Sequence, residues 1–221
     1  MNEHPPNLPR ATPPVAGGLS ASAILNYYSS NFFPLFALST AVSGALPEQM
    51  LNELRNCLDH LAKAEIGHDP IVDLGKARNH LDRACLDCVK IVWKVQKDEV
   101  QKVYNQFTPK EYCLVDGGRF WATLSGLYSS FKETSRIARL EEPRQINSDI
   151  SPVINGYIDA IEVGESILAL IGQRTPDIQH NIQLYRKKIC QKDIWLIAIT
   201  AVLSVLISEG VQHFISLYLG P

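Results

Sequence analysis

The chain has no excess of either charge: 21 Lys and Arg stand against 23 Asp and Glu, for a formal net charge of −2. Without a global basic field, nucleic acid or anionic lipid is not attracted by the chain as a whole, and partners have to be argued locally. Cysteine is scarce and odd in number. Cys57, Cys85, Cys88, Cys113 and Cys190 are scattered rather than set out as the framework of a small secreted domain, which fits a reducing compartment. The first eighteen residues hold five prolines and two glycines and lack an apolar run. That excludes an ordinary signal peptide, which needs a charged start followed by a hydrophobic stretch, and residues 1–18 read as a disordered Pro-rich tail. A phosphate-binding glycine loop and a serine-nucleophile motif are both missing. Cys85-Leu-Asp-Cys88 has a metal-like spacing but no second cysteine pair to complete a tetrahedral site, so no metal or cofactor is implied. The two thiols read as small residues on a buried helix face.

What is present is helical periodicity. Between Arg10 and Glu48 there is no charged side chain, and residues 21–42 are rich in aromatic and aliphatic side chains. Asn26, Ser29, Ser30, Asn31 and Pro34 interrupt them, so the segment is too broken to span a bilayer, which takes about 20 mainly apolar residues. It reads as one or two buried helices broken near Pro34, with a second reading that lays Tyr27, Tyr28, Phe32, Phe33 and Phe36 at a membrane interface. Pro47 and Glu48 open a helix that Gly67 closes, with Met50, Leu51, Leu54, Leu58 and Leu61 as its expected buried stripe. Asp69-Pro70 starts the longest body helix, expected to reach about Phe107 before Thr108-Pro109, with Leu74, Leu81, Cys85, Val92 and Val95 among its inward positions. Arg55-Asn56-x-Leu58-Asp59 recurs as Arg78-Asn79-x-Leu81-Asp82, an echo that two antiparallel helices with similar exposed faces would produce.

Asp116-Gly117-Gly118 marks a turn, and a helix from about Arg119 to Glu141 follows, with Phe120, Leu124, Leu127 and Phe131 inward. Ser151-Pro152 caps the next helix, which Gly172 is expected to close. Thr175 and Pro176 then open the last one, which nothing interrupts before Gly210.

That last helix changes character at Ile194. Fourteen uncharged residues run from Ile194 to Ile207, and the apolar segment can be continued to Leu219. Arg186, Lys187, Lys188 and Lys192 crowd its N-terminal flank while no Lys or Arg follows, and Trp195 and Tyr218 sit near its ends. Basic-flank asymmetry and interfacial aromatics are what a single membrane span with a cytoplasmic N-terminal body requires. Within it, Thr200, Ser204, Ser208, Gln212 and Ser216 recur at every fourth position, with Glu209 and His213 beside them. A carboxylate well inside the bilayer costs about 2.5–3.5 kcal/mol, so this polar face is expected to meet another helix.

One motif in the body bears on chemistry. Arg55-Asn56-Cys57-Leu58-Asp59-His60 resembles the Arg, polar residue, spacer, His motif of the HEPN superfamily, helical-bundle proteins that include metal-independent ribonucleases of prokaryotic conflict systems. The resemblance covers this one motif on one helix. It implies Arg55 as charge stabiliser and His60 as acid or base at an RNA phosphate.

Together these features predict an all-α protein: a helical bundle with a long C-terminal helix continuing into a single transmembrane anchor. Residues 1–18 form the tail, 19–192 the cytoplasmic bundle and 193–221 the transmembrane helix. The expected function is that of a membrane-tethered interaction or signalling protein that self-associates through its anchor, with the lipid bilayer and a protein as partners. A membrane-anchored HEPN-like ribonuclease acting on RNA, and a membrane-perturbing effector of a prokaryotic defence system, are the alternatives.

Overall fold

The computed structural model describes residues 8–12, 19–67, 69–144 and 149–218, with the side chains of residues 144, 205, 206 and 208–218 outside the description. The elements are α1 (Ala21–Tyr27), a π-helical turn (Tyr28–Phe32), α2 (Phe33–Ser43), α3 (Glu48–Glu65), α4 (Pro70–Tyr104), α5 (Pro109–Tyr112), α6 (Arg119–Glu141) and α7 (Ser151–Tyr218), with 3-10 turns at Asp116–Gly118 and Glu142–Arg144. Among the described residues every regular element is helical, so the all-α expectation holds. The chain forms two compact units. The first comprises Met1–Thr108 and Trp121–Gln173, the second Pro109–Phe120 and Arg174–Pro221.

The first unit is organised around α4. Asp69 caps the helix by accepting from the Val72 amide at 3.3 Å, and Pro70 occupies a first-turn position where its missing N–H is harmless. At 35 residues α4 extends roughly 50 Å, at about 1.5 Å per residue. Ala77, Leu81, Ala84, Cys85, Cys88 and Val89 are fully buried along it. These mostly small side chains let neighbours approach closely, and the core fills from Ile24, Phe32 and Leu35 on one side and Ile154, Tyr157, Ile158 and Ile161 of α7 on the other. Each large aliphatic or aromatic group so buried contributes about 1.5–3 kcal/mol. Close approach is most marked at Gly164, where a Cβ would lie 2.6 Å from Gln96 Oε1 and 3.1 Å from Phe131 Cε2.

Several expected faces are rotated. On α3 the buried residues are Met50 and Cys57, with Leu54 and Leu61 half-buried; Leu51 and Leu58 face solvent. On α4 the inward stripe passes to Gln96 and Val100 rather than Val95. Pro34 does not separate two helices. The π turn immediately before α2 absorbs its missing donor, with the Phe33 amide reaching back five residues to the Tyr28 carbonyl. Tyr27 and Phe32 are buried and Tyr28 and Phe36 half-buried, so four of the five aromatics proposed for a membrane interface belong to the core or its edge; only Phe33 is exposed.

A charged group lies inside this core. Arg78 Nε is 3.0 Å from both Asp82 carboxylate oxygens, and the guanidinium carbon sits 3.5 Å above the centre of the Tyr27 ring. Both residues are buried. Burial raises the Asp82 carboxyl above its ordinary range, against the opposing pull of Arg78. The Arg55/Arg78 echo therefore joins unlike environments: Arg55, Leu58 and Asp59 are exposed on α3, while Arg78, Leu81 and Asp82 are buried on α4.

In the second unit, α5 and the turn after it pack on α7. Asp116, Gly117 and Gly118 have φ of 50°, 62° and 91°, a left-handed run that two glycines make affordable. Tyr112, Val115, Ile178 and Ile182 are buried, Asn181 Nδ2 donates to the Leu114 carbonyl at 3.0 Å, and Arg174 pairs with Asp116 at 2.8 Å. The expected break between Gly172 and Pro176 is absent, since α7 runs unbroken through both residues. An interior proline costs about 3 kcal/mol. The buried stripe Ile167, Ile171, Ile178 and Ile182 continues at helical spacing on both sides of it, and that burial is the larger effect.

Candidate functional site

Two acid–histidine pairs connect α3 and α4. Glu53 and His60 stand seven residues, or two turns, apart on α3, and Asp73 and His80 stand seven apart on α4. Antiparallel packing sets 53 opposite 80 and 60 opposite 73. His60 Nδ1 lies 2.8 Å from Asp73 Oδ1, and His80 Nδ1 lies 2.6 Å from Glu53 Oε2. The two imidazoles stack, with centroids 5.4 Å apart and planes 12° from parallel. Both acid side chains are well sheltered, Asp73 at 3 % exposure and Glu53 at 12 %.

A carboxylate on Nδ1 fixes an imidazole's orientation and leaves Nε2 for proton transfer or ligation. Nearly parallel rings direct their Nε2 lone pairs into parallel planes, which do not converge on one ion. Among the described residues no group of three or more His, Cys, Asp or Glu is arranged to hold a metal. The arrangement is suited to acid–base chemistry or to fixing the α3–α4 register.

Arg55 is exposed, whereas His60 turns inward against Asp73 and His80. Five residues on a helix separate two side chains by about 140°, and the structure brings His60 to His80 instead of to Arg55. The His60 side chain is half-buried, at 17 % exposure. Glu53, Asp73 and His80 were missed, although an acid followed seven residues later by His occurs on each of two adjacent helices. Exposed cations flank His80 on α4 at Lys76 and Arg83.

Removing His60 takes away its contact with the His80 ring and one bond to a sheltered carboxylate. His60→Ala is expected to lower stability by about 1–3 kcal/mol, the range for unmaking a buried polar pair. Chemical denaturation measures this, and a loss under 0.5 kcal/mol, roughly the limit for an ordinary surface change, would show that the pair fixes nothing.

The three thiols of the first unit are not reactive centres, because all are buried. Cys85 and Cys88 are fully buried; burial drives the Cys85 thiol well up, Cys88 up to about 12 and Cys57 up to about 11. Cys88 Sγ donates to Met50 Sδ at 2.7 Å.

On the C-terminal helix, Thr200 Oγ1 donates to the Leu196 carbonyl at 2.8 Å and Ser204 Oγ to the Thr200 carbonyl at 2.7 Å. Those two members of the expected polar face thus bond their own backbone, as hydroxyls in apolar helices commonly do. The side chains of Ser208, Glu209, Gln212, His213 and Ser216 lie outside the described residues. Among the described residues no helix is long and apolar enough to cross a membrane, so the expected single span has no support there. Compared with known proteins, the chain matches no family model, no curated protein and no solved structure.

Proposed function

We propose that this is a membrane-tethered helical interaction protein, anchored through the C-terminal part of α7, with its body on the cytoplasmic side. One observation carries the reading. Ile194, Trp195, Leu196, Ile197, Ile199, Val202 and Leu203 are each at least 52 % exposed, and at 100° per residue they cover the whole circumference of the helix. A helix apolar on every side is stable when surrounded by lipid or protein, not by water. The sequence continues this apolar character past Leu203, and Arg186, Lys187, Lys188 and Lys192 precede it, as the positive-inside asymmetry requires. Self-association through the face containing Ser208, Glu209 and Gln212 is part of the proposal.

Removing the apolar segment tests it. The full chain is expected in the membrane fraction after an alkaline carbonate wash, and a chain ending at Cys190 in the supernatant. Equal membrane retention of the two would sink the anchor.

The stacked His60–His80 pair supports a second reading, an acid–base site of the ribonuclease kind that the Arg55/His60 motif implies. Each imidazole is oriented by its own carboxylate, and Lys76 and Arg83 are available to an anionic substrate. RNA cleavage that is lost in both His60→Ala and His80→Ala, with helical content retained, would establish this reading. A wild-type chain that does not cleave RNA ends it.

A further inference from the structure

Residues 8–12 do not behave as the free tail that their proline-rich setting suggests. Residues 8–12, Leu-Pro-Arg-Ala-Thr, have no helical or strand structure, yet they lie in a groove of the first unit where side chains from three elements grip their backbone. Asn155 of α7 makes a two-point amide clasp on Ala11: the Ala11 amide donates to Asn155 Oδ1 at 2.9 Å, and Asn155 Nδ2 donates to the Ala11 carbonyl at 3.1 Å. Asn31 Nδ2, from the π turn, donates to the Arg10 carbonyl at 2.9 Å. Arg78 Nη2, from α4, donates to the Thr12 carbonyl at 2.9 Å. Three consecutive carbonyls are therefore each met by a side-chain donor. This is how a protein holds an extended peptide when the main chain supplies affinity and pockets supply selectivity.

The pockets are there as well. Arg10 reaches Asp159 at 2.6 Å and Glu162 at 3.0 Å, one and two turns beyond Asn155 on the same stripe of α7. Ala11 is buried at 6 % exposure, leaving room for only a small side chain. Leu8 borders a partly open cavity of about 200 Å³ lined by Leu38, Val92 and Ile161, with Gln96, Glu99 and Glu165 at its polar side, so space remains beside its own leucine.

We propose that this groove is a peptide-binding site for extended segments of the pattern large apolar, any residue, Arg, small, and that residues 8–12 are its resident occupant in cis. Two features make the occupant exchangeable. Its ion pairs are about half exposed, where such pairs contribute little. Its apolar side chain is smaller than the space offered, so a partner segment with Phe at that position would fit better. A tethered occupant acts at an effective concentration in the millimolar range, so a free peptide is expected to bind the wild-type chain weakly and to bind well once the tethered copy is weakened.

The test uses the full chain and a fluorescent peptide of residues 5–14, read by anisotropy, with circular dichroism as the check on folding. Arg10→Glu places a carboxylate against Asp159 and Glu162 and is expected to raise affinity for the added peptide at least tenfold over wild type. Asn155→Ala in that background is expected to remove most of the gain. A peptide with Phe in place of Leu8 is expected to bind several-fold tighter. Should Asn155→Ala impair folding, charge exchange decides: Asp159→Arg is expected to favour a peptide carrying Arg10→Glu over the wild-type peptide. Equal affinity of the wild-type and Arg10→Glu chains, or no reversal on charge exchange, overturns the proposal. A concentration-dependent wild-type dimer that Arg10→Glu dissociates would also overturn it, by assigning the groove to a second copy of this chain.

Discussion

Arg78→Met is expected to destabilise the first unit by about 3–5 kcal/mol at neutral pH, the cost of stranding one partner of a buried ion pair. That is a large part of the roughly 5–15 kcal/mol by which a domain is stable. Asp82 is buried, and Arg78 supplies both the hydrogen bonds to its carboxylate and the charge opposite it. The direction of the pH dependence follows from linkage. Burial already raises the folded Asp82 carboxyl above its ordinary value, and losing Arg78 raises it further. Above the unfolded value of about 4 the folded variant then holds a proton that the unfolded chain has released, so stability falls as pH rises through that window. Arg78→Met is accordingly expected to be least destabilised near pH 4 to 5 and most destabilised near pH 8. The double variant Arg78→Met/Asp82→Leu removes the stranded charge and is expected to recover most of the loss. Denaturation midpoints at the two pH values compare both variants with the wild type. An Arg78→Met loss independent of pH would mean that packing against Tyr27 and the bond to the Thr12 carbonyl, rather than the charge opposite Asp82, are what Arg78 provides.

The second large effect concerns the proposed anchor. Arginine at both Ile199 and Leu203, one turn apart, is expected to transfer the chain from the washed membrane pellet to the supernatant. Each arginine in the middle of a spanning helix costs about 2.5–3.5 kcal/mol, so the pair shifts insertion by a factor on the order of 10⁴. Both positions are more than half exposed, so the substitutions leave the buried core untouched. A wild-type chain that washes off the membrane, together with a double-arginine chain that merely loses a protein partner, would assign the same apolar surface to a protein interface.

Much of the helix layout is readable from the sequence because its punctuation is local. Asp69-Pro70 and Thr108-Pro109 bracket α4, and Asp116-Gly117-Gly118 and Glu142-Pro143 bracket α6, to within a few residues of the observed ends. Which face of each helix is buried is less readable. On α3 the apolar residues satisfy two overlapping stripes, and contact with α4 selects the one through Met50, Leu54, Cys57 and Leu61 over Leu51 and Leu58. Pro176 misleads for a related reason: a local helix-start signal is overridden by burial on both sides of it. His80 and its acid partner required a register between two helices, which no single window contains. The segment at Leu8–Thr12 escaped because a proline-rich composition argues against regular structure, and packing without regular structure leaves no periodicity to find.

The burial of three thiols has a practical consequence for following this protein in motion. Cys57, Cys85 and Cys88 are buried in the first unit, while Cys113 and Cys190 are exposed in the second. An alkylating reagent therefore meets two accessible sulfurs at once and three only when the first unit opens. The chain carries its own clock: the slow phase of modification counts openings of the α3–α4 core, with no probe added and no residue changed.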